Sequence, residues 1–321
     1  MPGPLFVLTF LAGCLVLAKA GTWTVNSLVR IADFLKWKKF IVASLLMGFI
    51  GSTPELFVGI TASIAHKPQL SFGNIIGSNI VLLTLVTGVA VLLGGRVKLK
   101  GKVLQRSFLF AMFYALLPLL LMLDGDASRG DGVILIVALV FYLRELWASQ
   151  GRFSKIFLDK ESQASRTKRL EGFFKDLGLF LLGFGLLVLS AEAIVYSASR
   201  LALQLNLPLV LVGIIGVALG TSLPELSFGI RSAIMKQKEM VLGNVFGSIA
   251  INSALILGIT CLISPFTLYN PGLYFSAFIF TGSIVLFFIL FSKTGDELTK
   301  KEAKVLLFLY VLFFVIQVLL K

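Results

Sequence analysis

The chain has 321 residues, of which 57% are hydrophobic and 14% charged, with a mean hydropathy of +0.96 and a net charge of +13. That composition excludes intrinsic disorder, a secreted disulfide scaffold and a soluble nucleotide-binding enzyme, and it makes a lipid bilayer the first expected partner. One histidine and two cysteines argue against a Cys/His metal centre; Cys14 and Cys261 sit inside apolar runs as small buried hydrophobes.

A helix crosses a bilayer with about 17 to 25 apolar residues. In chain order the segments 4–33, 40–65, 71–94, 107–123, 132–149, 176–203, 208–234, 241–263, 272–292 and 303–320 meet that criterion. The reading is an all-α integral membrane protein with ten transmembrane helices. Lys and Arg are retained in short cytoplasmic loops, and here they alternate. Arg30, Lys36, Lys38 and Lys39 follow the first helix, and Arg96, Lys98, Lys100, Lys102 and Arg106 follow the third. Arg152, Lys155, Lys160, Arg166, Lys168, Arg169 and Lys175 follow the fifth, while the intervening loops are nearly free of basic residues. Both termini are therefore expected outside and the 150–175 loop in the cytoplasm, an arrangement suited to a prokaryotic inner cell membrane. The basic charge is a topology signal and not a nucleic-acid footprint. The first apolar run lacks a basic n-region and an A-x-A cleavage site, so it reads as a retained helix.

The chain repeats itself. Residues 51–79 read GSTPELFVGITASIAHKPQLSFGNIIGSN and residues 221–249 read TSLPELSFGIRSAIMKQKEMVLGNVFGSI. Ser52, Pro54, Glu55, Gly59, Gly73, Asn74, Gly77 and Ser78 each recur 170 positions later, without insertion. Five helices per half is an odd number, so the second copy enters the membrane inverted. The halves are 1–149 and 176–321, with repeat motifs at 48–82 and 218–252 and a short cytoplasmic loop at 150–175. Inverted repeats of this kind build many secondary transporters, with the substrate site at the midplane.

Glu55 and Glu225 lie deep in apolar segments, where an ionised side chain costs at least about 2.5 to 3.5 kcal/mol. No Lys or Arg is repeated beside them. Two such acids brought face to face repel one another unless a cation or a proton occupies the gap. Pro54 and Pro224 each lack an N–H, which frees the carbonyls of Ile50 and Gly220 and breaks the turn around them. Carbonyls of Gly48, Gly51, Ala218 and Thr221, with hydroxyls of Ser52, Thr221 and Ser222, then make a hard, oxygen-only environment. Ser78 and Ser248 fall at similar depth on the following helices, and the glycines beside them allow close approach. Oxygen ligands without thiolate or imidazole favour sodium, calcium or magnesium over zinc or copper.

The motifs G-S-T-P-E-L with G-N-I-I-G-S-N, and G-T-S-L-P-E-L with G-N-V-F-G-S-I-A-I-N, resemble the two alpha repeats of the sodium/calcium exchangers, within the cation/calcium exchanger superfamily. The resemblance extends through the ten-helix, two-half plan to nearly the whole chain. It implies an antiporter in which a sodium gradient drives calcium across the membrane by alternating access. Carried onto this sequence, the ion ligands it implies are Gly48, Gly51, Ser52, Glu55 and Ser78, and Ala218, Thr221, Ser222, Glu225, Ser248 and Asn252. Gly51, Glu55, Thr221 and Glu225 form the calcium core. Two positions depart from the family pattern: Gly51 stands where the first repeat usually has Thr, and Leu82 where Asn or Asp is usual, opposite Asn252. The core carboxylates and carbonyls survive both changes. The site charge is then at most −2, which leaves proton coupling through one protonated Glu as an alternative to sodium.

Other polar positions carry less. Lys19 reads as a snorkelling residue in the groove beside the first helix, and Glu192 has no acidic repeat counterpart. The run Asp124, Asp126, Ser128, Asp131 departs from a calcium-binding loop, with Arg129 where Gly is needed and Leu135 where a bidentate Glu belongs. His66, the single histidine, reads as a solvated turn residue away from any nucleophile, so no enzyme is expected. The expected function is exchange of Ca2+ against Na+, without a cofactor and without an obligate protein partner. H+-coupled cation exchange is the alternative, and a passive cation channel the reading from another class.

Overall fold

A computed structural model describes residues 3–34, 51–98, 102–149, 166–235, 238–268, 270–294 and 297–320. It is built of helices. The first half contains α1 (Gly3–Phe34), α2 (Thr53–Ile64), α3 (Pro68–Gly94), α4 (Lys102–Leu121) and α5 (Arg129–Ser149). The second contains α6 (Arg166–Gln204), α7 (Leu209–Thr221), α8 (Leu223–Ile234), α9 (Met240–Ile263), α10 (Pro271–Thr294) and α11 (Lys300–Leu319). Among the described residues six helices are long and apolar enough to cross a membrane on their own, and the bent pair α7 and α8, taken as one span, makes a seventh. By that criterion the structure yields fewer spans than the ten segments read from the sequence. Residues 40–50 of the second segment lie outside the described residues, and the apolar part of α4 is short. The sixth helix begins at Arg166, well before the apolar run at 176, because charged residues extend a helix into water without penalty.

Local sequence sets the boundaries. Pro68 opens α3 and Pro271 opens α10, positions where the missing N–H is harmless. Gly95 ends α3 with φ of 79°, a left-handed conformation that suits glycine, and its N–H donates to the Val91 carbonyl at 2.9 Å. Thr299 and Glu302 form a reciprocal capping box at the start of α11.

Two ladders too short to be read from the sequence accompany the helices. β1 (Val97–Lys98) pairs antiparallel with β4 (Glu297–Leu298), and β2 (Asp126–Ala127) pairs antiparallel with β3 (Phe266–Thr267). Since α4 runs from β1 to β2 and α10 from β3 to β4, the two helices are antiparallel and tied at both ends.

The core is continuous from α3 and α4 through α9, α10 and α11, with Phe72, Ile76, Phe246 and Phe288 among its buried members. A second cluster joins α1, α2 and α6 around Leu17, Val58, Leu187 and Ile194. α1 and α6 pack as an antiparallel pair, with Phe34 against Phe173 at one end and Phe6 against Tyr196 at the other. Their outward faces present Leu15, Leu181 and Leu189 to the surroundings, as expected of helices bathed in lipid.

Candidate functional site

The two repeat motifs fold alike. α2 and α8 each contain twelve residues, start after Ser52 and Ser222, and are capped at their ends by Ala65 and Met235. The backbone at Ser52 has φ −89° and ψ 8°, that at Ser222 φ −84° and ψ 6°. These are the breaks that proline dictates two residues later, and at Ser222 the chain turns by 43° between α7 and α8. Glu55 and Glu225 consequently occupy the first turn of a helix, where aligned N–H groups favour negative charge without any cationic side chain. Both are 1% exposed.

π-helical segments flank the site. They are Leu82–Val86 in α3, Gly213–Val217 in α7 and Ile251–Ile256 in α9, and each abuts or contains a residue singled out from the sequence. Such bulges recur at functional sites because they re-aim side chains and disturb the regular ladder. α3 reaches α7 through its small residues: a Cβ on Gly73 would strike the Val210 carbonyl, and one on Gly77 the Ile214 carbonyl. Backbone touches backbone there, which brings Asn74 and Ser78 beside Thr221.

The polar contacts of the site run across the two repeats. Thr221 Oγ1 donates to Asn74 Oδ1 at 3.0 Å and lies 3.4 Å from Ser78 Oγ. Ser222 Oγ donates to Glu55 Oε1 at 3.5 Å, and Ser52 Oγ to the Ser248 carbonyl at 3.4 Å. Gly51 faces Ser248, Asn244 and Glu225: a Cβ added to it would stand 2.5 Å from Ser248 Oγ and 3.3 Å from Glu225 Oε1. Asn252 Nδ2 donates to Asn79 Oδ1 at 3.4 Å, and Asn79 Nδ2 donates to Ser253 Oγ at 2.8 Å. The Ala218 carbonyl accepts from the Ser222 N–H at 3.1 Å and lies 3.3 Å from Thr221 Oγ1, which places it at the same junction.

Among the described residues five polar atoms here have no hydrogen-bond partner: Glu55 Oε2, Glu225 Oε2, Ser248 Oγ, Asn74 Nδ2 and Asn252 Oδ1. Four are oxygens. A buried polar atom left unpaired costs about 1–3 kcal/mol, and four such oxygens, two of them carboxylate, are of the kind that a hard cation satisfies. Among the described residues no Lys, Arg or His forms an ion pair with either Glu.

Ten of the eleven residues expected to carry the site are described: nine lie in the contacts around Glu55 and Glu225, Asn252 lies in the adjoining trio with Asn79 and Ser253, and Gly48 lies outside the described residues. Three further residues were not assigned to it from sequence. Asn74 and Asn244 carry a visible signal, recurrence at the repeat spacing, whereas Asn79 has Ile249 at the equivalent position and no repeat signal at all. Other polar positions stand apart. Asp124, Asp126 and Asp131 accept hydrogen bonds from the Asp126 N–H, the Thr267 hydroxyl and the Ser128 N–H and hydroxyl, which fix the turn at β2. His66 is an exposed turn residue with φ of 55°. Lys19 is exposed with its ammonium 5.4 Å from the Trp23 ring, and it makes no ion pair with Glu192.

A multi-pass helical membrane protein with paired carboxylates at helix breaks and an oxygen-rich lining has the makings of a cation carrier. The family model for sodium/calcium exchanger proteins matches residues 5–147 and 175–319, and the chain belongs to that family. The sodium/calcium exchanger MaX1 of Methanosarcina acetivorans is 30% identical over 342 residues, covering 96% of this chain and 97% of its own. An uncharacterised membrane protein of Methanocaldococcus jannaschii is 31% identical over 239 residues, covering 74% of this chain and 76% of its own. Among solved structures, the sodium-calcium exchanger NCX_Mj soaked with sodium and strontium superposes with a TM-score of 0.64 at 27% identity, covering 97% of this chain and 98% of that one.

Proposed function

We propose that the protein is a secondary antiporter that exchanges Ca2+ against Na+ by alternating access. The observation that carries this reading is the pair of buried carboxylates, Glu55 and Glu225, each with one oxygen that no protein group satisfies. Family membership and the names of the relatives support the choice of ions. Gly51 and Thr221 would add backbone carbonyls to the two carboxylates as the calcium core. Ser52, Ser78, Ser222, Ser248, Asn252, Ala218 and Gly48 would supply the remaining oxygens, and water would complete a shell of about 6 to 8. The chamber carries at most −2. One calcium neutralises it, and so do two sodium ions, so the two species compete. An occupied, neutral chamber then permits α1 and α6 to shift across it, whereas an empty one resists exposure to lipid.

The reading includes ten spans in two inverted halves, 1–149 and 176–321, joined by a cytoplasmic loop at 150–175, with both termini outside an inner cell membrane. The matching twelve-residue helices α2 and α8 support the repeat, and the ladders support its inversion: each joins one half to the other, one at either end of α4. Paired acids without a cationic partner also suit a proton, which favours H+-coupled calcium exchange as the second reading.

The test is calcium-45 uptake into proteoliposomes loaded with sodium, with potassium, with a proton gradient, or with none. Uptake that requires internal sodium supports the proposal. Uptake driven only by protons transfers the coupling to H+, and uptake without any counter-ion identifies a channel. Gln at either 55 or 225 should abolish exchange without preventing insertion; robust transport by both variants would sink the mechanism.

A further inference from the structure

Leu82 is buried at the start of a π-helical segment, at the repeat position opposite Asn252, and its side chain offers no hydrogen bond. The Asn252 amide is held by a different residue. Asn79, three residues earlier in α3, accepts from Asn252 Nδ2 at 3.4 Å and donates to Ser253 Oγ at 2.8 Å. All three polar residues are 1% exposed or less. Positions three apart share a helix face, so an amide at 79 lies on the side of α3 where one at 82 would lie. Within this trio both ends of the Asn79 amide are engaged, and Asn252 Oδ1 is the atom without a partner. Asn252 follows Ser248 by four residues, again one face, and Ser248 is the residue that reaches toward Gly51 and Glu225.

We propose that Asn79 is a positioning residue for the monovalent counter-ion. It grips the Nδ2 end of Asn252 and thereby leaves Oδ1 as a neutral ligand aimed at the chamber, in place of a group at position 82. The proposal rests on the exchange reading above and refines it. A carboxamide oxygen brings a dipole but no charge. It therefore matters to a singly charged ion held by few strong ligands, while calcium binding is dominated by the two carboxylates.

The experiment is titration of Na+ and, separately, Ca2+ into the purified full-length protein, alongside sodium-driven calcium-45 uptake. Asn79→Ala should weaken sodium binding about three- to tenfold, the size of one or two lost hydrogen bonds, and shift calcium binding less. Asn252→Ala should match it, and the double variant should be no worse than either single one, because the residues act as one unit. Leu82→Asn placed in the Asn79→Ala background should restore sodium affinity, which a purely structural role for Asn79 would not predict. Unchanged sodium affinity in Asn79→Ala, an equal loss for both ions, or no rescue by Leu82→Asn would overturn the proposal. Asn79→Asp, which keeps the acceptor for Asn252, provides the readout where the alanine variant fails to fold; equal loss of both ions there overturns it too. A wild-type protein that binds calcium but no sodium would refute the sodium reading itself, an outcome separate from any behaviour of the variants.

Discussion

Ser248 Oγ occupies the space that a side chain on Gly51 would fill, 2.5 Å from the position of its Cβ, and has no hydrogen-bond partner. The related pair in the other repeat, Thr221 and Ser78, has its hydroxyls 3.4 Å apart. A glycine in place of threonine therefore breaks the symmetry of the site: one serine hydroxyl is paired and the other is not.

That asymmetry predicts a graded series at position 51. Gly51→Val should slow calcium uptake about tenfold or more, since overpacking a filled site costs about 1–3 kcal/mol. Gly51→Thr should retain more activity than Gly51→Val, because its hydroxyl can pair with Ser248 as Thr221 pairs with Ser78. Initial rates of sodium-driven uptake decide the order, and equal rates for the two variants would contradict it.

Calcium should stabilise the folded protein by mass action, by about 2.7 kcal/mol at a concentration one hundred times its Kd. Thermal unfolding in detergent should show the midpoint rising with calcium and falling back on chelation. In Glu55→Gln and Glu225→Gln the rise should vanish. A calcium-dependent midpoint that survives in both variants would mean that the ion binds elsewhere.

Close backbone contact between α3 and α7 makes Gly77 intolerant of a larger side chain. A Cβ there would lie 2.6 Å from the Ala218 Cβ, besides striking the Ile214 carbonyl. Gly77→Val should lower stability by about 1–3 kcal/mol or prevent folding. Gly178→Ala, in α6 with nothing within 4 Å of its Cβ position, should be neutral or gain up to about 1 kcal/mol from helix propensity. Thermal midpoints of the two purified variants provide the comparison.

Loss of the capping box should affect stability alone. Thr299→Ala removes a side-chain acceptor at the start of α11 and should cost about 1 kcal/mol. Transport per folded molecule should be unchanged, as measured by uptake normalised to the monodisperse fraction.

Much of the candidate site was legible because its signal is strong. Two acids in apolar surroundings, each preceded by proline and separated by an insertion-free 170 residues, are costly to keep without a purpose. The lateral contacts were less legible. Asn79 is an uncharged amide, cheap enough in a helix to leave no signature, and it replaces Leu82 from a position that the repeat does not relate to it. The pairing of Gly51 with Ser248 depends on the absence of a side chain, which shows only once the opposing helix is in place. Helix extents differed where polarity and structure part company, as at Arg166, and two-residue strands carry no periodicity to read.

The two ladders have a mechanical meaning. Val97 with Leu298 and Ala127 with Phe266 stitch the first half of the chain to the second at both ends of α4 and α10. Rocking one half as a block against the other would tear both seams, so the halves form a single frame. α1 and α6 grip each other through Arg30 and Asp176 at 2.6 Å and take no strand in either ladder, so the proposed change of access would fall to them. Under the proposed alternating access such a machine would work as a sliding bolt within a fixed housing, its speed set by how smoothly two helices move in lipid while the candidate ion site holds still.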